Sequence, residues 1–168
     1  MDSMATDEGR DLARQLSQQS TEVARVSGRR PLLDALQRIS GGRWGRRRSW
    51  TVVPELDAPW QDTLSAERTG WRMRQANLPH DHGIFAVDYQ ICHACRLAWV
   101  ENPHTEPGYQ RCGLAAAALA SLRSEHPGLS WHTLGGHLRE SRPFWNAVGP
   151  DVTGGYEQRP LCAHAVQG

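Results

Sequence analysis

Gln110-Arg111-Cys112-Gly113-Leu114-Ala115 is the stretch on which the fold turns. An apolar segment at residues 97–100 precedes it, and an alanine-rich run at 115–122 follows. The order is strand, turn, helix, with the helix opening on a glycine. The first turn of a helix leaves main-chain N–H groups without intrahelical acceptors. It also carries the positive end of the helix dipole, so such a start can hold a phosphate. Gly113 lets the backbone come close to an anion, and Ala115 keeps a neighbouring position small. No lysine follows and the glycine spacing differs, so neither the nucleoside-triphosphate loop nor the dinucleotide fingerprint fits.

The hexad resembles the pattern Gln/Arg-x-x-Gly-x-Gly/Ala, with which the GNAT superfamily of acyl-CoA N-acyltransferases holds the pyrophosphate of coenzyme A. Its surroundings carry the same likeness. Thr105-Glu106-Pro107-Gly108-Tyr109 is similar to the family's approach to the loop, and Leu129-Ser130-Trp131-His132-Thr133 reads as a buried strand past the helix. Ser141-Arg142-Pro143-Phe144-Trp145-Asn146-Ala147-Val148-Gly149 resembles the family's last helix. The resemblance covers residues 85–165 and is thin before them. It implies an α/β (α+β) fold, a mixed and mostly antiparallel sheet flanked by helices. In that sheet the strand after the phosphate-loop helix runs parallel to the strand before it, and a final strand at 155–161 returns antiparallel. It also implies acetyl-CoA as cosubstrate and an unidentified amine as acceptor, whether a small molecule, a protein or tRNA-linked. Thr105, Gln110, Arg111, Cys112, Gly113, Leu114 and Ala115 would hold the cofactor, together with Phe144 and Trp145 of the last helix.

Transfer in this family is direct: the amine attacks the thioester carbonyl in a ternary complex. The protein must supply a neutral amine, polarise the carbonyl and align the reactants. A main-chain N–H within residues 100–105 is implied as the polarising group. Glu101 is the first candidate for the base and His104 the second; the plainer alternative for each is a solvent-facing residue at a strand end. Many members have a tyrosine acid where this chain has Trp145, whose indole N–H does not exchange protons usefully near neutral pH. Tyr156 and Ser141 are the candidate substitutes. His132 and His137 fall near the acyl side, where a lone histidine is more often packing. A catalytically degenerate GNAT-fold binding module is the competing reading.

The chain has 168 residues, enough for one well-buried core and a short appendage. We divide it into a helical extension at 1–42 and an acyltransferase domain at 43–168. Nineteen basic residues, all arginine, face 18 acidic ones, so no global field favours nucleic acid or a membrane. No apolar run is long enough to span a bilayer and the N-terminus is charged, so a cytoplasmic location is expected. Helices are expected at 7–26, 31–39 and 57–68. Strands are expected at 50–53, 71–74 and 84–89, with a turn-rich 77–83 and a hairpin at 92–95. Arg43, Arg46, Arg47 and Arg48, interleaved with Trp44 and Trp50, are either a nucleic-acid patch or a solvated loop. A homodimer is among the assemblies left open.

Cys92-His93-Ala94-Cys95 is a C-x-x-C turn between two strands, and Cys162-Ala163-His164 lies far along the chain. Cys92, Cys95, Cys162 and His164 make a Cys₃His set suited to structural zinc, with His93 a spare ligand. The implied topology brings the two half-sites together. A redox pair normally sits at a helix start, and a disulfide is disfavoured in the cytoplasm. Buried thiols without metal are the remaining alternative. Such a zinc would be closed and structural, at the opposite end of the strand from the cofactor loop.

Overall fold

The computed structural model describes residues 5–26, 58–65 and 68–166. The expected helix at 31–39, the arginine stretch and the expected strand at 50–53 lie outside them. Helix α1 (Asp7–Gln18) starts at Thr6, whose hydroxyl accepts the Gly9 N–H at 3.1 Å, with Asp7 and Glu8 complementing the dipole. It ends earlier than expected: Val23–Arg25 is strand β1, not helix. Then come β2 (Trp60–Leu64), β3 (Arg72–Leu78), β4 (Asp81–Cys92), β5 (Leu97–Thr105), a 3₁₀ turn (Pro107–Tyr109), α2 (Leu114–Glu125), β6 (Ser130–His132), α3 (Arg142–Val148) and α4 (Ala163–Val166).

The six strands lie in sequence order in one mixed sheet flanked by helices. β2 to β5 form an antiparallel meander, and β1 and β6 add in parallel at the two edges. The fold class expected from the sequence is therefore the one observed. Because β6 is parallel to β5, the chain must cross over between them, and α2 is that crossover. α2 buries Leu114, Ala118, Leu119 and Leu122, and α1 buries Ala13 and Leu16, in one core with Phe85, Val87, Ala98 and Val100. Residues alternate faces along β5, so Leu97 and Trp99 point the other way, into a smaller cluster with Trp71, Cys92 and Ala165.

The helix expected at 57–68 is overturned, since Trp60–Leu64 is a central strand. Its polar residues misled the reading because their partners are distant in sequence. Asp62 is fully buried and accepts from Arg74 Nη2 at 2.7 Å, Tyr89 Oη at 2.7 Å and Arg72 Nε at 2.5 Å. Arg74 also donates to Glu125 Oε2 at 2.8 Å, tying the end of α2 to the sheet. Burial works against the charge of Arg74, yet its two carboxylate partners raise its pKa. A buried ion pair of this kind contributes little net stability, but losing one partner strands the other. The turn expected at 77–83 narrows to Pro79 and His80, with Asn77 Oδ1 accepting the Gly83 N–H at 2.6 Å across it.

The antiparallel strand expected at 155–161 is also overturned. Gly154, Gly155 and Tyr156 all have positive φ (87°, 55° and 58°), which no strand accommodates. Only Gln158 makes a β-bridge, to Thr133, and in the parallel sense.

Candidate functional cleft and metal centre

α2 opens as its sequence requires. Gly113 is its N-cap, left-handed at φ 86°, with no side-chain acceptor on the helix N–H groups. The Ala117 N–H bonds to the Gly113 carbonyl at 3.0 Å, while those of Leu114, Ala115 and Ala116 find no acceptor among the described residues. Arg111 is left-handed as well, at φ 65°. Consecutive amides in such a turn point to one side and form an anion-binding concavity. Arg10 of α1 donates to the carbonyls of Gly108 and Gln110, so those oxygens are engaged from the helix side. Tyr109 donates to Asp81 Oδ2 at 2.7 Å, and this bond holds the approach to the loop and pushes the phenol up to about 12.

Side chains around this cradle divide clearly. Gln110, Arg111 and Gly113 are exposed, whereas Cys112 and Leu114 are buried in the core and can offer only backbone. Thr105 ends β5, its carbonyl accepting from Gln110 Nε2 at 3.4 Å.

The second element of the site comes from the strands. β5 and β6 pair only from Leu97 to Trp99 against Ser130 to His132, after which β5 continues to Thr105 paired with β4 but not with β6. Against β4, β5 carries one extra residue between Glu101 and His104, and Asn102 is left-handed at φ 49°. That is a β-bulge, and it bends the strand where its neighbour leaves. A cleft of about 310 Å³ opens there. Glu101, Asn102 and His104 line one wall, Thr133 and residues 135–138 the other, and Ser141 and Trp145 close it from α3. Glu101 spans the cleft floor, its Oε1 accepting the N–H groups of Leu134 (2.5 Å) and Gly135 (3.3 Å).

Of the residues read from sequence as carrying chemistry, Glu101, His104 and Ser141 border this cleft and Tyr156 does not. Tyr156 is fully buried and its hydroxyl accepts from Arg123; burial raises its pKa against that arginine. Trp145 lines the cleft, and Phe144 meets it edge-on at 5.1 Å without bordering the opening. One feature escaped the sequence reading: Asn102-Pro103 was a legible signal, since asparagine tolerates positive φ and Asn-Pro favours a turn. Of the two histidines expected near the acyl side, His137 borders the cleft and His132 does not. The His137 ring stacks on Trp145 at 4.7 Å.

At the other end of β5, the sulfurs of Cys92, Cys95 and Cys162 and a ring nitrogen of His164 all lie within 4.8 Å of one another. Cys95 Sγ lies 3.2 Å from His164 Nδ1. A tetrahedral thiolate site with metal–sulfur bonds near 2.3 Å has edges of about 3.8 Å, so the donor set fits zinc in kind and in spacing. The crowding is electrostatic too. Cys162 above all, with burial and Cys92, pushes the Cys95 thiol up to about 11. Cys162 is held below the usual range: burial opposes its thiolate, but main-chain N–H groups of Ala165 and His164 and the other thiols favour it.

The segment from Tyr156 to Arg159 joins the two ends. The Tyr156 carbonyl accepts from His137 Nε2 at 2.9 Å, Gln158 Nε2 donates to the Leu134 carbonyl at 3.0 Å, and the Arg159 N–H donates to the Thr133 carbonyl at 2.8 Å. The Arg159 carbonyl accepts the indole N–H of Trp99 at 3.0 Å. This strap supports the wall at 133–137 and leads within three residues to Cys162.

No protein-family model matches the chain, and no curated protein matches it either. Among solved structures it is similar to a protein of Exiguobacterium sp. 255-15 provisionally described as an acetyltransferase. That likeness has 16% identity and a TM-score of 0.39, and covers 49% of this chain and 56% of that one. The shared stretch thus spans little more than half of that protein.

Proposed function

We propose that this chain is an acyl-CoA-dependent N-acyltransferase, transferring acetyl directly from acetyl-CoA to an amine. One observation carries the reading: the open amides at the start of α2 and the cleft between β5 and β6 stand at the same end of β5. Parallel strands joined by a crossover helix characteristically receive ligands at their carboxyl ends, where the strands part. In this reading the diphosphate sits on the N–H groups of residues 113–116. The acyl-bearing arm enters the cleft, and a main-chain N–H near the Asn102 bulge meets the thioester carbonyl. Pro103 has no N–H, which narrows that donor to the neighbouring positions. Cys92, Cys95, Cys162 and His164 hold a structural zinc, which supplies a fixed link between the β4–β5 hairpin and the C-terminal strap. No helix among the described residues is long and apolar enough to cross a membrane.

A second reading, a binding module without turnover, is favoured by two details. Glu101 has committed an oxygen to two main-chain N–H groups, and Tyr156 is sealed away from the cleft. Titration with acetyl-CoA in a calorimeter, paired with thiol release over a panel of amines, separates the two. Binding with release supports the transferase, binding alone supports the module, and no binding rejects both.

A further inference from the structure

Moving an acyl group from a thioester to an amine requires more than alignment. The N–C bond forms and the C–S bond breaks, and one proton must leave nitrogen and reach the departing sulfur. The groups around the cleft can be taken in turn for that task. Glu101 Oε1 is bound to Leu134 and Gly135 N–H groups. His104 is exposed, and its Nε2 lies 3.4 Å from Glu106 Oε1. The Ser141 hydroxyl donates to the Leu138 carbonyl at 3.0 Å, and the Thr133 hydroxyl to Gly135 and Tyr156 carbonyls at 2.9 and 3.2 Å. Neither hydroxyl is basic, and the Trp145 indole has no exchangeable role near neutral pH.

His137 is different on each count. Its ring is fixed from the side by stacking on Trp145, with the planes 14° apart. Its Nε2 lies 2.9 Å from the Tyr156 carbonyl, and a carbonyl can only accept, so Nε2 carries the hydrogen. In the neutral ring that leaves the lone pair on Nδ1, for which no protein donor exists among the described residues. A carbonyl fixing one ring nitrogen so that the other is free to take a proton is the usual way a catalytic imidazole is oriented.

Resting on the transferase reading, we propose that His137 is the proton-transfer residue of this cleft. Nδ1 takes a proton from the attacking amine as the N–C bond forms. It returns that proton to the CoA sulfur as the C–S bond breaks, so the imidazole ends neutral and the products are amide and free thiol. Nε2–H stays on the Tyr156 carbonyl throughout and stabilises the imidazolium in between. The strap residue Tyr156 therefore acts through its backbone, as a positioning residue. The titratable groups facing the same cleft are Glu101 and His104, with Tyr156 behind Trp145.

The test is His137→Gln in the full chain, which keeps an N–H for the Tyr156 carbonyl and removes the base. We expect kcat/KM for the amine to fall at least 100-fold, the acidic limb of the pH–rate profile to vanish, and acetyl-CoA affinity by calorimetry to stay within threefold. Imidazole added to His137→Gly should restore part of the rate. Near-normal turnover of His137→Gln with an unchanged pH profile overturns the proposal while leaving the transferase reading intact. Failure of the natural sequence to bind acetyl-CoA removes both. If that sequence binds but no amine on the panel is acylated, the module is supported instead and the proposal falls with the transferase reading.

Discussion

β5 is built for opposite purposes at its two ends. Where it begins, Leu97 and Trp99 pack with Trp71, Cys92 and Ala165, and four donor atoms gather within 4.8 Å. Where it finishes, a bulge turns it, β6 departs, and the amides of the following helix are left open. One end is packed into an apolar cluster, and the other leaves main-chain N–H groups open at a helix start. A strand can keep such groups unpaired only if its remainder is over-determined. The 156–159 strap makes the dependence concrete, since its Arg159 carbonyl is held by Trp99, which packs with Cys92, while its other bonds hold the cleft wall.

The largest effect should come from cutting the closed end. Cys162→Ser should reduce bound zinc from about one equivalent to a small fraction by elemental analysis. It should also lower the thermal midpoint on the order of 10 °C. Hydrogen exchange should quicken at 133–137 as well as at 92–96. Rapid exchange confined to 92–96 would mean that the ends are independent and the strap is only a connection.

Next is the open end alone. A side chain at Gly113 is strained at φ 86° and meets Ser17 Oγ at 3.3 Å, besides filling the cradle. Gly113→Trp should weaken acetyl-CoA binding at least 100-fold while the protein still folds cooperatively and keeps its metal. Unchanged binding would remove the cradle from the site.

Glu101 joins the walls rather than the ends, so a smaller change is expected. Glu101→Gln keeps an acceptor but loses the charge assistance, about 1 kcal/mol. Donor affinity should drop several-fold with kcat preserved. A collapse of kcat with donor affinity intact would instead make Glu101 the base.

The mildest effect is on pH. Burial is the main cause holding both His126 and His132 below the ordinary imidazole range. The folded protein then binds fewer protons than the unfolded chain. The stability these residues contribute is complete above about pH 6.5 and declines as pH falls through that value toward their folded pKa values. Glu125 is depressed too: burial opposes its charge, but Arg74 outweighs that, so a further loss follows below about pH 4.5. Thermal midpoints across pH 4–8 should show a gentle slope and then a steeper one. A flat line down to pH 5 would contradict it.

Features whose chemistry is local were legible in the sequence. The glycine-led helix start announces itself, and so do a C-x-x-C turn and a later C-x-H. Features resting on distant partners were not. Asp62 reads as a helix-surface residue until Arg74 and Tyr89 are known to surround it, and so β2 was missed. The run at 155–161 looked like a strand although Gly154-Gly155 is a turn signal, because the positive φ of Tyr156 has no local sign. Tyr156 looked available because a tyrosine does not reveal that Arg123 will meet its hydroxyl. His137 needed both Trp145 and the strap in place before its ring had a defined direction.

The gathering of Cys92, Cys95 and Cys162 gives the protein a memory. Two neighbouring thiols that lose electrons to an oxidant before a cation reaches them become a disulfide, and the centre is then two donors short. Whether the cation or the oxidant arrives first thus sorts otherwise identical molecules into populations with differently supported clefts. Samples prepared in air and under reductant should then differ in specific activity until a dithiol and zinc are supplied together.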